Sequence, residues 1–504
     1  MAQHHHHESD IFIKEAEGHQ RRYHKIVELT HSTTKAAGVM LLGAIIALIV
    51  ANTAFHEPFY EFWHTEVSLG FGDAHAEMSL AHIINDILMA IFFLLVGLEI
   101  KYEMTVGELT NIRQAILPVA AAIGGVLMPI VVYLIFNAGN PETMMGWGVP
   151  TATDIAFALG ILALLGSRVP AGVRVFLSTL AVADDIVAIL VIAIFYGQSP
   201  SLMWLGAALV VLIVLILMNR SHIYSLLPYI LGGLVLWYCI FMSGVHSTIA
   251  GVLLALAIPS GSRVDLKSFT DWSGQRVKEA HEAFVPDEPV IGQEDYLASV
   301  SRLERVARHV VPPATRLERK LYPWVYFAIL PLFALTNADV AFMQAAPAEI
   351  VGNSIFLGVF FGLVVGKPLG IMLMSFIIVK TKLSSLPENV NWAHMLGAAL
   401  LGGVGFTMAI FVANLAFVNP NDVMIAKVAI LAASLVAGVA GFAFLFIQAK
   451  AASLKGLRFE AKLASPNNLQ TFGAQVAKSR YERDLEYVKE QIAKQEEEIK
   501  KNSD

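Results

Sequence analysis

The sequence predicts an all-α polytopic membrane protein with twelve transmembrane helices. Three observations carry that prediction. The 504 residues are 56% hydrophobic and 15% charged, with a mean hydropathy of +0.62, whereas a soluble domain carries about 25% charged residues. Twelve apolar runs approach the length that crosses a hydrocarbon core. Lysine and arginine alternate between the loops, present on one side and absent from the other.

The runs lie near 35–53, 81–100, 115–136, 149–165, 174–196, 201–218, 223–241, 244–259, 323–343, 354–379, 395–417 and 422–447. The first hydrophilic loop, 54–79, has no Lys or Arg, and the next has Lys101 and Arg113. Loop 137–148 has none, and the fourth has Arg168 and Arg174. The fifth has none, the sixth has Arg220, the seventh has none and the eighth is heavily basic. The ninth has none, the tenth has Lys380 and Lys382, and the eleventh has none. Lys450, Lys455 and Arg458 then open the tail. The alternation puts both termini in the cytoplasm. Lys427, a few residues into the last run from the outer side, breaks the pattern and is expected to snorkel outward or to face the bundle.

Four regions follow. Residues 1–34 form a cytoplasmic N-terminal segment with Arg21, Arg22 and Lys25 but no short apolar region with a cleavage site, so the first run is expected to stay in place. Within it, His4 to His7 read as a tag remnant or inert tail, with a metal-binding tract as the sharper alternative. Residues 35–447 form the membrane domain, interrupted by the long cytoplasmic loop 260–322. In that loop Leu297, Val300, Leu303, Ala307 and Val310 follow helical spacing and predict an amphipathic helix on the membrane surface or against the bundle. Residues 448–504 form a charged cytoplasmic tail, where Tyr481, Leu485, Val488, Ile492, Gln495 and Ile499 fit either a lone solvated helix or a short coiled coil. The single cysteine, Cys239, excludes an intrachain disulfide, and the net charge of −6 says little because charge is segregated along the chain.

The candidate chemistry begins with Asp184 and Asp185, adjacent in the run from Val175 to Phe195. One mid-membrane carboxylate costs about 3 kcal/mol on insertion scales. Two neighbours also repel and resist being ionised together unless a cation lies close. Such a pair points to cation binding or proton carriage. Three further features stand out. Pro150-Thr-Ala-Thr-Asp154 combines a missing backbone donor with Thr151, Thr153 and Asp154, and suggests a broken helix. Gly402-Gly-Val-Gly-Phe-Thr407 interrupts another apolar run through Gly402, Gly403 and Gly405, although glycines there also suit close packing. Lys367, in Gly366-Lys-Pro-Leu-Gly370, needs a carboxylate partner or loses its proton. Two interrupted runs in opposite halves of a chain point to a transporter site built from inverted repeats. Glu99 and Glu103, one turn apart beside Lys101, are an ordinary charged helix end or the negative mouth of a cation funnel. His246, in Ser243-Gly-Val-His-Ser247, is a satisfied interfacial histidine or a pH-responsive group.

At these residues the sequence resembles a known family. The blocks Phe93 to Lys101, Ala152 to Arg168, Ala183-Asp-Asp185, Gly244 to Gly251, Gly366 to Gly370 and Gly403 to Met408 are similar to the NhaA-type sodium/proton antiporters, over about residues 33–447. The resemblance implies twelve helices, with the fourth and eleventh unwound and crossing at mid-membrane. It implies electrogenic exchange of internal Na⁺ or Li⁺ for a larger number of external protons. Asp185 becomes the main cation ligand, and Asp184 alternates between Lys367 and protons. Thr153 and Asp154 lie at the crossing, where Asp154 balances positive helix ends and Lys367 negative ones. The resemblance also implies a homodimer in the inner membrane, joined through outer loop 54–79, where Glu66 to Asp73 supplies a β-hairpin. The pH-responsive stretch at the start of the ninth run here reads Arg316-Leu-Glu-Arg-Lys-Leu-Tyr-Pro-Trp324. Glu318 lies there as a candidate pH-response or funnel residue; Arg319 and Tyr322 stand where better-known members carry histidines, and Tyr102 where an arginine is common.

A sodium-coupled solute symporter of similar broken-helix fold is the rival reading, and a cation channel a weaker one. Gly70-Phe-Gly-Asp73 matches an intramembrane protease pattern, but no Tyr-Asp partner occurs in the chain. No phosphate-binding loop is present, since Gly366-Lys367 is followed by Pro368. No enzyme activity, cofactor or nucleic-acid partner is expected; the partners are Na⁺, Li⁺, protons and the lipid bilayer.

Overall fold

The protein is described from a computed structural model, which places residues 32–71, 74–110, 112–197, 200–261, 266–286, 288–341, 350–387 and 389–454. His4 to His7, Asp73 and the tail positions from Tyr481 to Ile499 lie outside these residues.

The chain is mostly helical. Its first elements are α1 (Thr33–Ala51) and the short α2 (His56–His64). A two-stranded antiparallel hairpin follows, β1 (Glu66–Phe71) on β2 (Ala74–Ser79), in the register Glu66 with Ser79 and Val67 with Met78. It is the one sheet among the described residues. Next come α3 (Leu80–Thr105), α4 (Ile112–Asn137), a helical stretch α5 (Pro141–Thr151), α6 (Ile155–Leu164), α7 (Ala171–Phe195), α8 (Leu202–Arg220), α9 (Leu226–Met242) and α10 (Ile249–Ala257). Two helices occupy the long loop, α11 (Leu266–Ala283) and α12 (Glu294–Val310). The chain ends with α13 (Pro313–Trp324), α14 (Leu330–Asn337), α15 (Ser354–Lys380), α16 (Trp392–Gly402), α17 (Phe406–Ala416) and α18 (Pro420–Leu454).

Seven of these helices are long and apolar enough to span a bilayer, and nine spans result if each bent pair counts as one. The bent pairs are α5 with α6, at 43°, and α16 with α17, at 45°. The seventh, eighth and ninth predicted runs are not among these nine. α9 has 17 residues and α10 only nine. The ninth run is helical from Pro313, ten residues earlier than its apolar part, because Pro313 can start a helix where its missing N–H costs nothing. The predicted loop helix is present as α12, packed on α11, which hydropathy alone did not predict.

Local chemistry sets the breaks. Asn140 accepts from Glu142 N at 3.0 Å and starts α5 with Pro141 behind it. Asn353 accepts from Ile355 N at 2.8 Å and starts α15. Three turns widen to π geometry, Ile83–Leu88 within α3, Val325–Ile329 and Gly362–Gly366. The last two each precede a proline, Pro331 or Pro368. A proline ring clashes with the carbonyl four residues back. That carbonyl belongs to Phe327 or Val364, inside the widened turn in each case.

The core of the fold is α15 packed along α4, with α7, α16 and α18 around it. Glycine makes the closest approach possible. A Cβ on Gly370 would lie 2.0 Å from the Gly124 carbonyl oxygen, and one on Gly124 2.3 Å from that of Gly370. α3 packs on α10, and Lys101 fastens them: its ammonium donates to the carbonyls of Leu256, at 2.8 Å, and Ile258 where α10 ends.

Candidate functional site

The two helix breaks meet. Asp154 N donates to Val404 O at 2.7 Å, and the Thr153 hydroxyl donates to Gly402 O at 3.0 Å. Backbone groups freed by one break are therefore satisfied by the other, as a low-dielectric interior requires. Glycine permits this approach: a Cβ on Gly403 would lie 2.6 Å from Leu363 O, and one on Gly405 3.1 Å from Ala152 O. On the other side, Pro150 packs against Gly362.

Asp154 serves two helix N-termini at once. Its Oδ1 accepts from Phe157 N at 3.0 Å, capping α6. Its Oδ2 accepts from Thr407 N at 3.1 Å and from the Thr407 hydroxyl, at the first turn of α17. Two sets of orphan N–H groups, each with partial positive charge, thus share one carboxylate. Phe406 N is met separately by the Ser434 hydroxyl at 3.1 Å. Lys367 answers the opposite polarity. It follows the π turn of α15, is 1% exposed, and donates to Thr151 O at the C-terminal end of α5.

Lys367 also pairs with Asp184, Nζ to Oδ2, at 2.7 Å, with both side chains buried. Asp185 is 2% exposed and has no such cation partner among the described residues. Its Oδ1 is buried without a hydrogen-bond partner, as is Asp184 Oδ1. Asp185 opens instead on a narrow recess lined also by Glu99, Asp154, Tyr326, Thr407 and Met408. About 10 Å³ of it is open to the centre of a water-sized particle, room for about one.

The other predicted residues fall around this recess or away from it. Glu318, half-buried on α13, is near enough to Glu99 for their charges to interact. Burial pushes the Glu318 carboxyl up to about 7, partly opposed by Arg319 beside it. Glu103 is half-buried one turn beyond Glu99 and does not line the recess. His246 also stands apart: its Nε2 lies 2.6 Å from Tyr196 O, so one ring nitrogen is satisfied. Lys427 is half-buried and interacts electrostatically with Asp339. Among the described residues, no group of three His, Cys, Asp or Glu side chains converges as a metal site.

Two residues of this site carry no sequence signal of their own. Thr407 was visible only as the last residue of the glycine-rich block. Tyr326 looks like one more apolar-run aromatic, and only Pro331 hints at the widened turn that holds it.

Comparison with known proteins adds the decisive observation. The family model described as "Na+/H+ antiporter 1" matches residues 27–445. The chain belongs to this antiporter family. It is 41% identical over 429 residues to the "Na(+)/H(+) antiporter NhaA" of Wolinella succinogenes, covering 84% of this chain and 93% of that protein. The protein of the same description from Helicobacter pylori strain G27 is 44% identical over 419 residues, 82% of this chain and 94% of that one. The one from Oleidesulfovibrio alaskensis is 44% identical over 408 residues, 81% and 90%. Membership and the apolar helices together make the chain a multi-pass membrane protein.

Proposed function

We propose that this chain is an electrogenic antiporter that exports Na⁺ or Li⁺ in exchange for protons, by competition at Asp184 and Asp185. The observation that supports it best is the unpartnered oxygen of Asp185, buried beside a recess that takes about one water-sized particle. Two adjacent carboxylates in a low-dielectric site resist joint ionisation unless a cation neutralises them. Protons and sodium then compete for the same oxygens. Asp184 has Lys367 as its counter-charge, and Asp185 would take the entering ion. When protons load the pair, the ion leaves. Exchange without leak follows if the conformational switch requires an occupied site.

In this reading residues 35–447 form the transport domain, with twelve spans arranged as inverted repeats. The contacts between the α5–α6 and α16–α17 breaks are its mid-membrane crossing. Glu99, Glu103 and Glu318 form the negative cytoplasmic approach, both termini are cytoplasmic, and the membrane is the bacterial inner membrane. The β1–β2 hairpin of loop 54–79 would join two copies into a homodimer. A symporter would need a cavity for an organic solute, and the recess at Asp185 is too small for one.

The test is sodium/proton exchange in everted vesicles, from mildly acidic to alkaline pH, for this chain and for Asp185→Asn. Collapse of the proton gradient by sodium is expected in the first and absent in the second. Exchange that survives in Asp185→Asn would overturn the assignment.

A further inference from the structure

The recess beside Asp185 has one polar wall that the competition scheme does not use. Tyr326 lies in the π turn Val325–Ile329, is 7% exposed, and lines the recess with Glu99, Asp154 and Asp185. Its ring rests on Tyr322, with centroids 4.4 Å apart. Its hydroxyl is within electrostatic reach of Glu99, Asp185 and Asp154. No hydrogen bond joins that hydroxyl to another described residue. A buried phenol ordinarily finds a partner, and leaving one unpaired in an apolar interior is costly. Tyr326 and Asp185, whose Oδ1 has no hydrogen-bond partner, line the same small space.

Alkali cations are hard and take oxygen ligands, like the larger divalent ions. No three acidic, His or Cys side chains converge as a metal site among the described residues, which leaves ligand positions around a cation at Asp185 for neutral oxygens or water. We propose that Tyr326 is a specificity-determining residue of the exchange. Its hydroxyl oxygen meets Na⁺ or Li⁺ at Asp185 and replaces part of the ion's water shell. A fixed neutral oxygen adds a ligand without adding charge, and its fit differs between the smaller and the larger ion. The inference rests on the antiport reading, which supplies the cation.

Tyr326→Phe removes the oxygen and keeps the ring against Tyr322. In everted vesicles at fixed pH, the apparent KM for Na⁺ is expected to rise about 2- to 10-fold, the worth of one hydrogen bond, with the maximal rate held within about twofold. The ratio of Na⁺ to Li⁺ KM should change as well. Isothermal titration calorimetry of NaCl and LiCl into the purified full chain reads the same loss of affinity without transport. If the Phe variant fails to fold, Tyr326→Met takes its place with the same expectations. Unchanged affinity for both ions in a folded variant overturns the proposal. So does a lower rate at fixed KM, which marks a packing role alone. Wild-type protein that exchanges nothing at any pH sinks the antiport reading separately. Calorimetry then still decides the oxygen, because sodium heat that is absent in wild type or equal in wild type and variant overturns its role.

Discussion

Asp154 and Thr407 are joined twice, once through the Thr407 amide and once through its hydroxyl, both donating to the same carboxylate oxygen. The pair ties the start of α17 to the residue that caps α6. Thr407→Val keeps the shape and the amide bond but deletes the hydroxyl donor. A hydrogen bond to a charged group contributes about 1.5–3 kcal/mol, so a stability loss of that order is expected. Thermal melting of the detergent-solubilised protein reads it; a melting curve that superimposes on wild type would show the hydroxyl to be dispensable.

Lys367 and Asp184 are each nearly fully buried, so removing one strands the other. Lys367→Met or Asp184→Asn alone should destabilise the fold by about 3–5 kcal/mol, whereas the double variant should recover much of that loss. A double-mutant cycle on melting temperature checks it. Additive losses would mean that the 2.7 Å pair contributes no coupling.

Glu318 gives the pH prediction. Its folded-state pKa, about 7, lies above its ordinary value of 4.5 because of burial. The native state therefore holds the proton more tightly than the unfolded state, and stability falls as pH rises from about 4.5 to about 7. Above that window the contribution is flat. In Glu318→Gln this part of the slope should vanish. Melting temperatures of the two proteins between mildly acidic and mildly alkaline pH would show parallel curves if Glu318 titrated normally.

Gly124 and Gly370 let α4 and α15 meet backbone to backbone. Gly370→Ala would drive a methyl group into a carbonyl and force the helices apart. Overpacking of this kind costs about 1–3 kcal/mol. Because Lys367 lies one turn away on α15, exchange activity should fall with stability. A Gly370→Ala variant with wild-type melting and wild-type exchange would show that the helices accommodate it freely.

The helices were legible because a bilayer demands long apolar runs, and the site was legible where it broke that demand. Asp184, Asp185 and Lys367 stand out as charges in lipid, and Pro150 and Gly402 to Gly405 as interruptions. Hydropathy reads segment identity well and pairing poorly. Nothing in the local sequence of Thr407 says that its hydroxyl meets Asp154, because the contact joins distant parts of the chain. Tyr326 was invisible for a different reason. An aromatic in an apolar run is ordinarily core, and only the widened turn before Pro331 shows where its hydroxyl lies. The start of α13 was not legible because hydropathy marks where a helix becomes apolar, whereas Pro313 marks where it begins.

The shared carboxylate of Asp154 has a consequence for biogenesis. Its two helix partners are made at different times, since Thr407 is 253 residues further along the chain. While the ribosome extends the second half, Asp154 has only Phe157 N as its structural partner, and the other half of its lone pairs faces whatever the insertion machinery provides. The centre of the protein is therefore among the last parts to be completed. A chain truncated before α17 would leave the Asp154 carboxyl without Thr407, its partner across the two breaks.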